Sequence, residues 1–149
     1  MRAVVQRVSS AGVTVGDMVT GRIGPGFLVY LGVMEGDTEE DLSYILDKIT
    51  HMRIVNDAEG KMNRDIAETG GEFLIVSQFT LCGDCRKGRR PSFSAAASPD
   101  RGKYYYLALI DLLKNKGFSV QTGVFGAHMQ VSSINDGPVT MLLDSRKLF

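Results

Sequence analysis

Two short segments carry polar groups whose types and placement could do chemistry. In Ser77-Gln78-Phe79-Thr80-Leu81, a serine, a glutamine and a threonine follow the apolar run Phe73-Leu74-Ile75-Val76. Such side chains are poor choices for a buried strand, so their place is at its end, where they meet solvent or a ligand. The threonine hydroxyl is a nucleophile in form. In Asn135-Asp136-Gly137-Pro138-Val139-Thr140, Pro138 has no N–H to give to a ladder, and Gly137 admits close approach to its backbone. A sheet must break there, and taken by itself the segment reads as a β-turn between two strands.

Three further clusters invite chemistry. Arg86, Lys87, Arg89 and Arg90 fall within five residues, as a solvated loop or as a phosphate contact. Cys82 and Cys85 form one CxxC, but the chain's two histidines, His51 and His128, lack the spacing of a zinc set. Two reduced, incidental thiols are expected, and no metal or cofactor. The carboxylates Asp37, Glu39, Glu40 and Asp41 suit the first turn of a helix, where the dipole favours negative charge, better than paired acid–base work.

The elements that position these groups follow from periodicity. Ala3 to Ser9 alternates as a strand. Val13-Thr14-Val15 and Met18-Val19-Thr20 flank Gly16-Asp17, a two-residue hairpin turn with glycine first. Gly24-Pro25-Gly26 is a turn, and Phe27 to Leu31 is a strand buried on both faces. Asp37 or Thr38 caps a helix, with Glu40 or Asp41 completing a capping box and Leu42, Ile45, Ile49 and Met52 on its buried stripe. Arg53-Ile54-Val55 is a short strand ending in the turn Asn56 to Gly60, and Phe73 to Leu81 is a strong strand behind Gly70-Gly71. A second helix starts at Ser98 with Pro99 in its first position, buries Tyr105, Ala108, Leu109 and Leu112, and ends at Lys114, Lys116 and Gly117. Val120 to Val124, Met129 to Ile134 and Val139 to Leu143 are three closing strands.

These elements define an α/β protein, with mostly antiparallel sheets and two main helices packed on them. With 149 residues, 44% hydrophobic and 23% charged, the chain makes one globular domain over residues 1–149. The longest apolar stretch, Phe27 to Val33, is too short to cross a bilayer. The start, Met1-Arg2-Ala3-Val4-Val5-Gln6-Arg7, lacks the apolar block of a signal peptide, so a cytoplasmic protein without membrane contact is expected. A formal net charge of zero argues against nucleic acid held over the whole surface, though not against a local basic patch.

Together, Ser77 to Leu81 and Asn135 to Thr140 resemble the two signature motifs of the D-aminoacyl-tRNA deacylase family. The likeness runs along the chain through Met1 to Val8, Gly60-Lys61-Met62-Asn63, Lys87 to Phe93 and Gly123 to Ala127. Ile66 to Thr69 and Ser133 are less typical and lie outside both signatures. The resemblance implies an enzyme that hydrolyses the ester of a D-amino acid, or of glycine mischarged on tRNA(Ala), to the 3′-terminal adenosine of tRNA, thereby proofreading chirality. It implies a homodimer in which a cis Gly137-Pro138 peptide, held by Arg7, reaches into the partner's pocket. The carbonyls of Gly137 and Pro138 would face the substrate α-carbon and collide with an L side chain.

By the same resemblance, Ser77, Gln78, Phe79 and Thr80 line the pocket floor. Main-chain N–H groups around Phe79 and Thr80 are the oxyanion donors, and Ser77 and Gln78 position the nucleotide and ester. Phe125 and Met129 hold the adenine or belong to the core; Arg86, Lys87, Arg89 and Arg90 meet acceptor-stem phosphates. No Ser-His-Asp arrangement is present and Thr80 lacks a base, so the neighbouring 2′-OH of the substrate is expected to orient the attacking water. Thr80 as covalent nucleophile is the alternative mechanism, and a nucleic-acid-binding module without hydrolysis is the alternative function.

Overall fold

In the computed structural model, which describes residues 1–148, the long strand β1 (Arg2–Val15) organises the sheet. Alternation buries Ala3 and Val5, then Val8, Ala11 and Val13. The Gly16-Asp17 turn, with Gly16 at φ +57°, leads into antiparallel β2 (Met18–Ile23). Val13 to Val15 is therefore the far end of β1 and not a strand of its own. β3 (Gly26–Gly32) also runs antiparallel to β1, and its apolar residues face both ways. Phe27, Val29 and Leu31 join the larger core, while Leu28 joins the smaller one.

Helix α1 (Glu39–His51) begins at Thr38, whose N–H donates to the Asp41 carboxylate at 2.8 Å, and it buries Leu42, Ile45 and Ile49. Asp37 departs from the expectation of a first-turn carboxylate. It is fully buried, accepts the Met34 N–H (2.7 Å), and pairs with the Met1 α-ammonium (2.8 Å) and Arg146 Nη2 (3.2 Å). The expected strand Arg53 to Val55 reduces to β4 (Val55–Asn56), which pairs with β5 (Met62–Arg64). Between them the Asp57 carboxylate gathers the N–H groups of Glu59 and Lys61, both at 2.9 Å.

β6 (Glu72–Ser77) lies parallel to β3 so closely that a Cβ on Gly26 would stand 2.0 Å from the Glu72 carbonyl oxygen. β6 stops at Ser77 instead of running to Leu81. Helix α2 (Pro99–Asn115), capped by Ser98, buries Tyr105, Tyr106, Leu109, Ile110 and Leu113. Leu112 is exposed, because the rows through 105, 109, 113 and through 106, 110 face the sheet and place 112 on the outer side. β7 (Val120–Thr122) is shorter than expected and adds in parallel to β6.

The two remaining expected strands are one, β8 (Gln130–Asp144), antiparallel to β1 along nearly its whole length. The β-turn reading of Asn135 to Thr140 is thus overturned: the chain keeps its direction through Pro138. The sheet is nevertheless interrupted there, because Asn135 pairs with Val8 and Thr140 with Gln6, leaving Asp136 to Val139 opposite Arg7 alone. One sheet therefore carries two apolar faces. Both helices cover the first, and the second is closed by Val8, Ala11, Val13, Ile23, Leu28, Leu74 and Val76.

Candidate active site

The first signature leaves the sheet at the C-terminal end of β6. Ser77 is the last residue in register, opposite Leu31, whose carbonyl then accepts the Gln78 N–H at 2.7 Å. Gln78 turns away at φ −146°, ψ 74°, and Phe79–Cys82 form a 3₁₀ turn closed by Leu81 N–H to Gln78 O (3.1 Å) and Gly83 N–H to Thr80 O (3.0 Å). Such a turn leaves its leading N–H groups without internal partners. Among the described residues no acceptor takes the N–H of Phe79 or of Thr80.

The turn is fixed from behind. Gly32 lies against it, where a Cβ would stand 3.0 Å from the Gln78 carbonyl oxygen. Arg2, itself paired with Asp144, donates from Nη1 to the Leu81 carbonyl at 3.0 Å. The Cys82 thiol donates to the Val33 carbonyl at 3.3 Å, and burial pushes its pKa up. Cys85 is exposed and both thiols are free.

In front of the turn opens a cleft of about 620 Å³. Its floor is apolar (Leu31, Val33, Val76), and Ser98, Pro99, Gly102 and Tyr106 of the α2 end form one wall. Phe125 to Met129 form the other. Phe125 and Met129 both line the cleft and also pack on the two cores, so ligand contact and core packing coexist in each. Gly102 makes room for Phe125, whose ring carbon Cζ would be 3.4 Å from a Cβ there.

The side chains of the site offer little acid–base chemistry. Gln78 Nε2 donates to Thr80 Oγ1 at 2.6 Å, and an amide nitrogen has no basic lone pair with which to take the threonine's proton. Tyr106 donates to the Ile75 carbonyl at 3.0 Å, and burial pushes its phenol up to about 12, so it stays neutral and engaged. His128 stands at the exposed rim of the cleft. Sequence reasoning gave no role to Tyr106, His128, Ala96, Ala97 or Gly102. The glycine inside a helix, which costs about 1 kcal/mol relative to alanine, was the one available signal.

The second signature is a rigid projection. The Gly137-Pro138 peptide is cis, and Gly137 adopts φ +142°. Asn135 Nδ2 closes the base of the bulge by donating to the carbonyls of Arg7 (2.8 Å) and Val139 (3.1 Å). The buried Arg7 guanidinium reaches Asp136 O (3.1 Å) and Asp136 Oδ2 (3.2 Å) through Nε, and Ile54 O (2.6 Å) and Asn56 Oδ1 (3.0 Å) through Nη1. Arg7 thus ties the tip to the β4 segment. Gly137 and Pro138 are exposed and do not line their own chain's cleft, so one chain alone does not bring the two signatures together.

The basic run lies on a loop closed by mutual Asp84 and Ser92 backbone hydrogen bonds (2.8 and 2.9 Å). Arg86 is held by Asp84 at 2.9 and 2.7 Å, and these hydrogen bonds pull the Asp84 carboxyl down to about 2. Lys87, Arg89 and Arg90 are exposed, with no carboxylate in salt-bridge range among the described residues.

Known proteins share this whole architecture. A sequence model of the D-Tyr-tRNA(Tyr) deacylase family matches residues 4–144. Proteins named D-aminoacyl-tRNA deacylase from Thermotoga petrophila and Desulfitobacterium hafniense are 56% and 55% identical over all 149 residues, covering 100% of both chains in each case. One from Thermus aquaticus is 55% identical over 145 residues, 97% of this chain and 95% of its own. Among solved structures, one titled c-Myc DNA Unwinding Element Binding Protein superposes with a TM-score of 0.91 at 38% identity, covering 97% of this chain and 98% of that one. A probable eukaryotic D-amino acid tRNA deacylase shares the fold at TM-score 0.76 and 20% identity, over 95% of this chain and 97% of its own.

Proposed function

The chain belongs to the D-Tyr-tRNA(Tyr) deacylase family and is a D-aminoacyl-tRNA deacylase, a hydrolase; from that premise we propose how it chooses and cleaves its substrate. The cleft takes the 3′-terminal aminoacyl-adenosine, with adenine against Phe125 and Met129. Ser77 and Gln78 position the ester, and the N–H groups of Phe79 and Thr80 receive the oxyanion of the tetrahedral intermediate. The observation that carries this is the pair of main-chain donors, unpartnered among the described residues, at the edge of a mainly apolar cleft. One such donor is worth about 3–4 kcal/mol to the transition state.

Water is oriented by the substrate's own 2′-OH. What supports this is that, among the described residues, the Thr80 hydroxyl is hydrogen-bonded to the Gln78 amide and to no base, together with the ready reactivity of an aminoacyl ester. The rigid Gly137-Pro138 tip, anchored by Arg7, enters the cleft of a second copy and meets the α-carbon with its carbonyls. A D side chain points away from them and glycine has none, so D-aminoacyl-tRNA and glycyl-tRNA mischarged on tRNA(Ala) are both substrates, in the cytoplasm. Lys87, Arg89 and Arg90 run along the RNA phosphates, while Arg86 braces the loop through Asp84.

The 38% identical structure named for binding a DNA element favours a second possibility, nucleic-acid binding without hydrolysis. Incubation with D-tyrosyl-tRNA and L-tyrosyl-tRNA separates the two. Hydrolysis of the D ester alone is expected, with selectivity lost in Gly137→Ala, where the added Cβ would stand 3.0 Å from Arg7 Nη2 and 2.9 Å from Val139 N. Equal, slow loss of both esters would end the enzymatic assignment.

A further inference from the structure

Phe79 and Phe93 form an aromatic pair that the ester-cleaving chemistry leaves unused. Their rings meet edge to face, with centroids 5.1 Å apart, at the mouth of the cleft. Both stay open to solvent, at 59% and 37% of their surface. Phe93 is nevertheless fixed in place. Its ring lies against Gly83, where a Cβ would come within 2.9 Å of it, and its carbonyl accepts the Ala96 N–H at 3.0 Å. The Asp84–Ser92 hydrogen bonds, immediately before Phe93, set its distance from the cationic tip of the same loop. On that tip Lys87, Arg89 and Arg90 lack carboxylate partners among the described residues, while Arg86 is neutralised by Asp84.

Exposed rings held beside a cationic track are the combination that binds unpaired nucleotides, because every base offers a face for stacking and every phosphate a charge. The charge of the track selects a polyanion over an apolar peptide. Size supplies the rest: about 620 Å³ suits one aminoacyl-nucleoside, so the strand leading to it must leave past the mouth. Resting on the deacylase assignment, we infer that Phe93, backed by Phe79, is a stacking platform for the unpaired base next to the terminal adenosine. The phosphates 5′ of that base follow Lys87, Arg89 and Arg90.

The test compares wild type, Phe93→Ala and Phe93→Trp on three substrates: D-tyrosyl-tRNA, the same tRNA with an abasic penultimate nucleotide, and the D-tyrosyl ester of adenosine. Phe93→Ala should raise KM for D-tyrosyl-tRNA about tenfold, the effect of one lost stack, with kcat changed by less than about twofold. Phe93→Trp should restore it. The abasic tRNA should show the same rise with wild type and no further rise with Phe93→Ala. Equal losses on tRNA and on the adenosine ester would make Phe93 a mere cleft wall and overturn the inference. So would additive losses from the variant and the abasic site, or an abasic tRNA handled like the intact one. Failure of the deacylase assignment is a different result, since wild type would then leave D-tyrosyl-tRNA uncut.

Discussion

Thr80 is where competing mechanisms diverge. Its hydroxyl accepts from the Gln78 amide and, among the described residues, is hydrogen-bonded to no base, so a covalent route would need a proton acceptor that the adjacent side chain cannot supply. The one imidazole of the cleft, His128, sits at the exposed rim. If the RNA hydroxyl orients the water, Thr80→Ala and His128→Asn should each keep kcat within about tenfold of wild type. D-tyrosyl-tRNA ending in 2′-deoxyadenosine should not turn over. Single-turnover rates measure all three. A loss of about 10²–10⁴-fold in His128→Asn would instead assign general-base work to the imidazole. Rapid cleavage of the 2′-deoxy substrate would remove the RNA from the mechanism.

Among the elements, α2 adds to its apolar contacts with the sheet the hydrogen bonds of one buried phenol, that of Tyr106. Tyr106, itself on the cleft wall, bonds the Ile75 carbonyl of β6 and lies 3.4 Å from the Gly123 carbonyl just beyond β7. Burial raises its pKa to about 12, against about 10 in an unfolded chain. The unfolded chain therefore gives up this proton first. The contribution to stability is fully present below about pH 10 and is lost as pH climbs through about 12. Tyr106→Phe should cost about 0.5–1.5 kcal/mol at pH 7, the net worth of one hydrogen bond, since the Ile75 carbonyl keeps the Gly123 N–H at 3.2 Å, and should flatten the fall of Tm between pH 10 and 12. Parallel Tm curves for the two proteins would disprove the assignment. The elements themselves were legible wherever one period governs a segment: the hairpin at Gly16, the twofold-buried β3, and α1 and α2 with their caps. Sequence and structure part where a contact distant in sequence decides. The apolar Leu81 continues the strand pattern of β6, but room beside Gly32 lets the chain turn at Gln78. Pro138 rightly signals a broken ladder, yet the Asn135 amide and the Arg7 side chain turn that break into a bulge within one strand. Asp37 sits beside three first-turn helix carboxylates, and only the fold shows it meeting Arg146, distant in sequence. The cleft walls were least visible, because Ala96, Ala97 and Gly102 contribute by what they lack.

At the scale of the molecule, the proposed joint action of the two signatures calls for a second copy, given that the Gly137-Pro138 tip does not line its own cleft. β8 is suited to such a contact. It pairs with β1 alone, and the exposed Ile134 (64%) and Leu142 (62%) flank the tip, an apolar strip that a two-fold axis could bury against the same strip of a partner. Mixing two disabled chains tests this directly. Gly137→Ala spoils the tip and leaves the cleft, whereas Ala96→Trp fills the cleft and leaves the tip. Each homodimer should lack D-selective hydrolysis. In a mixed dimer, the intact tip of one chain meets the intact cleft of the other. After unfolding and refolding in equal amounts, half the dimers are mixed and each carries one complete site, so roughly a quarter of the wild-type D-selective rate should return. If the tip served its own chain, every chain in the mixture would carry a lesion in its only site, and no D-selective hydrolysis would reappear at any ratio.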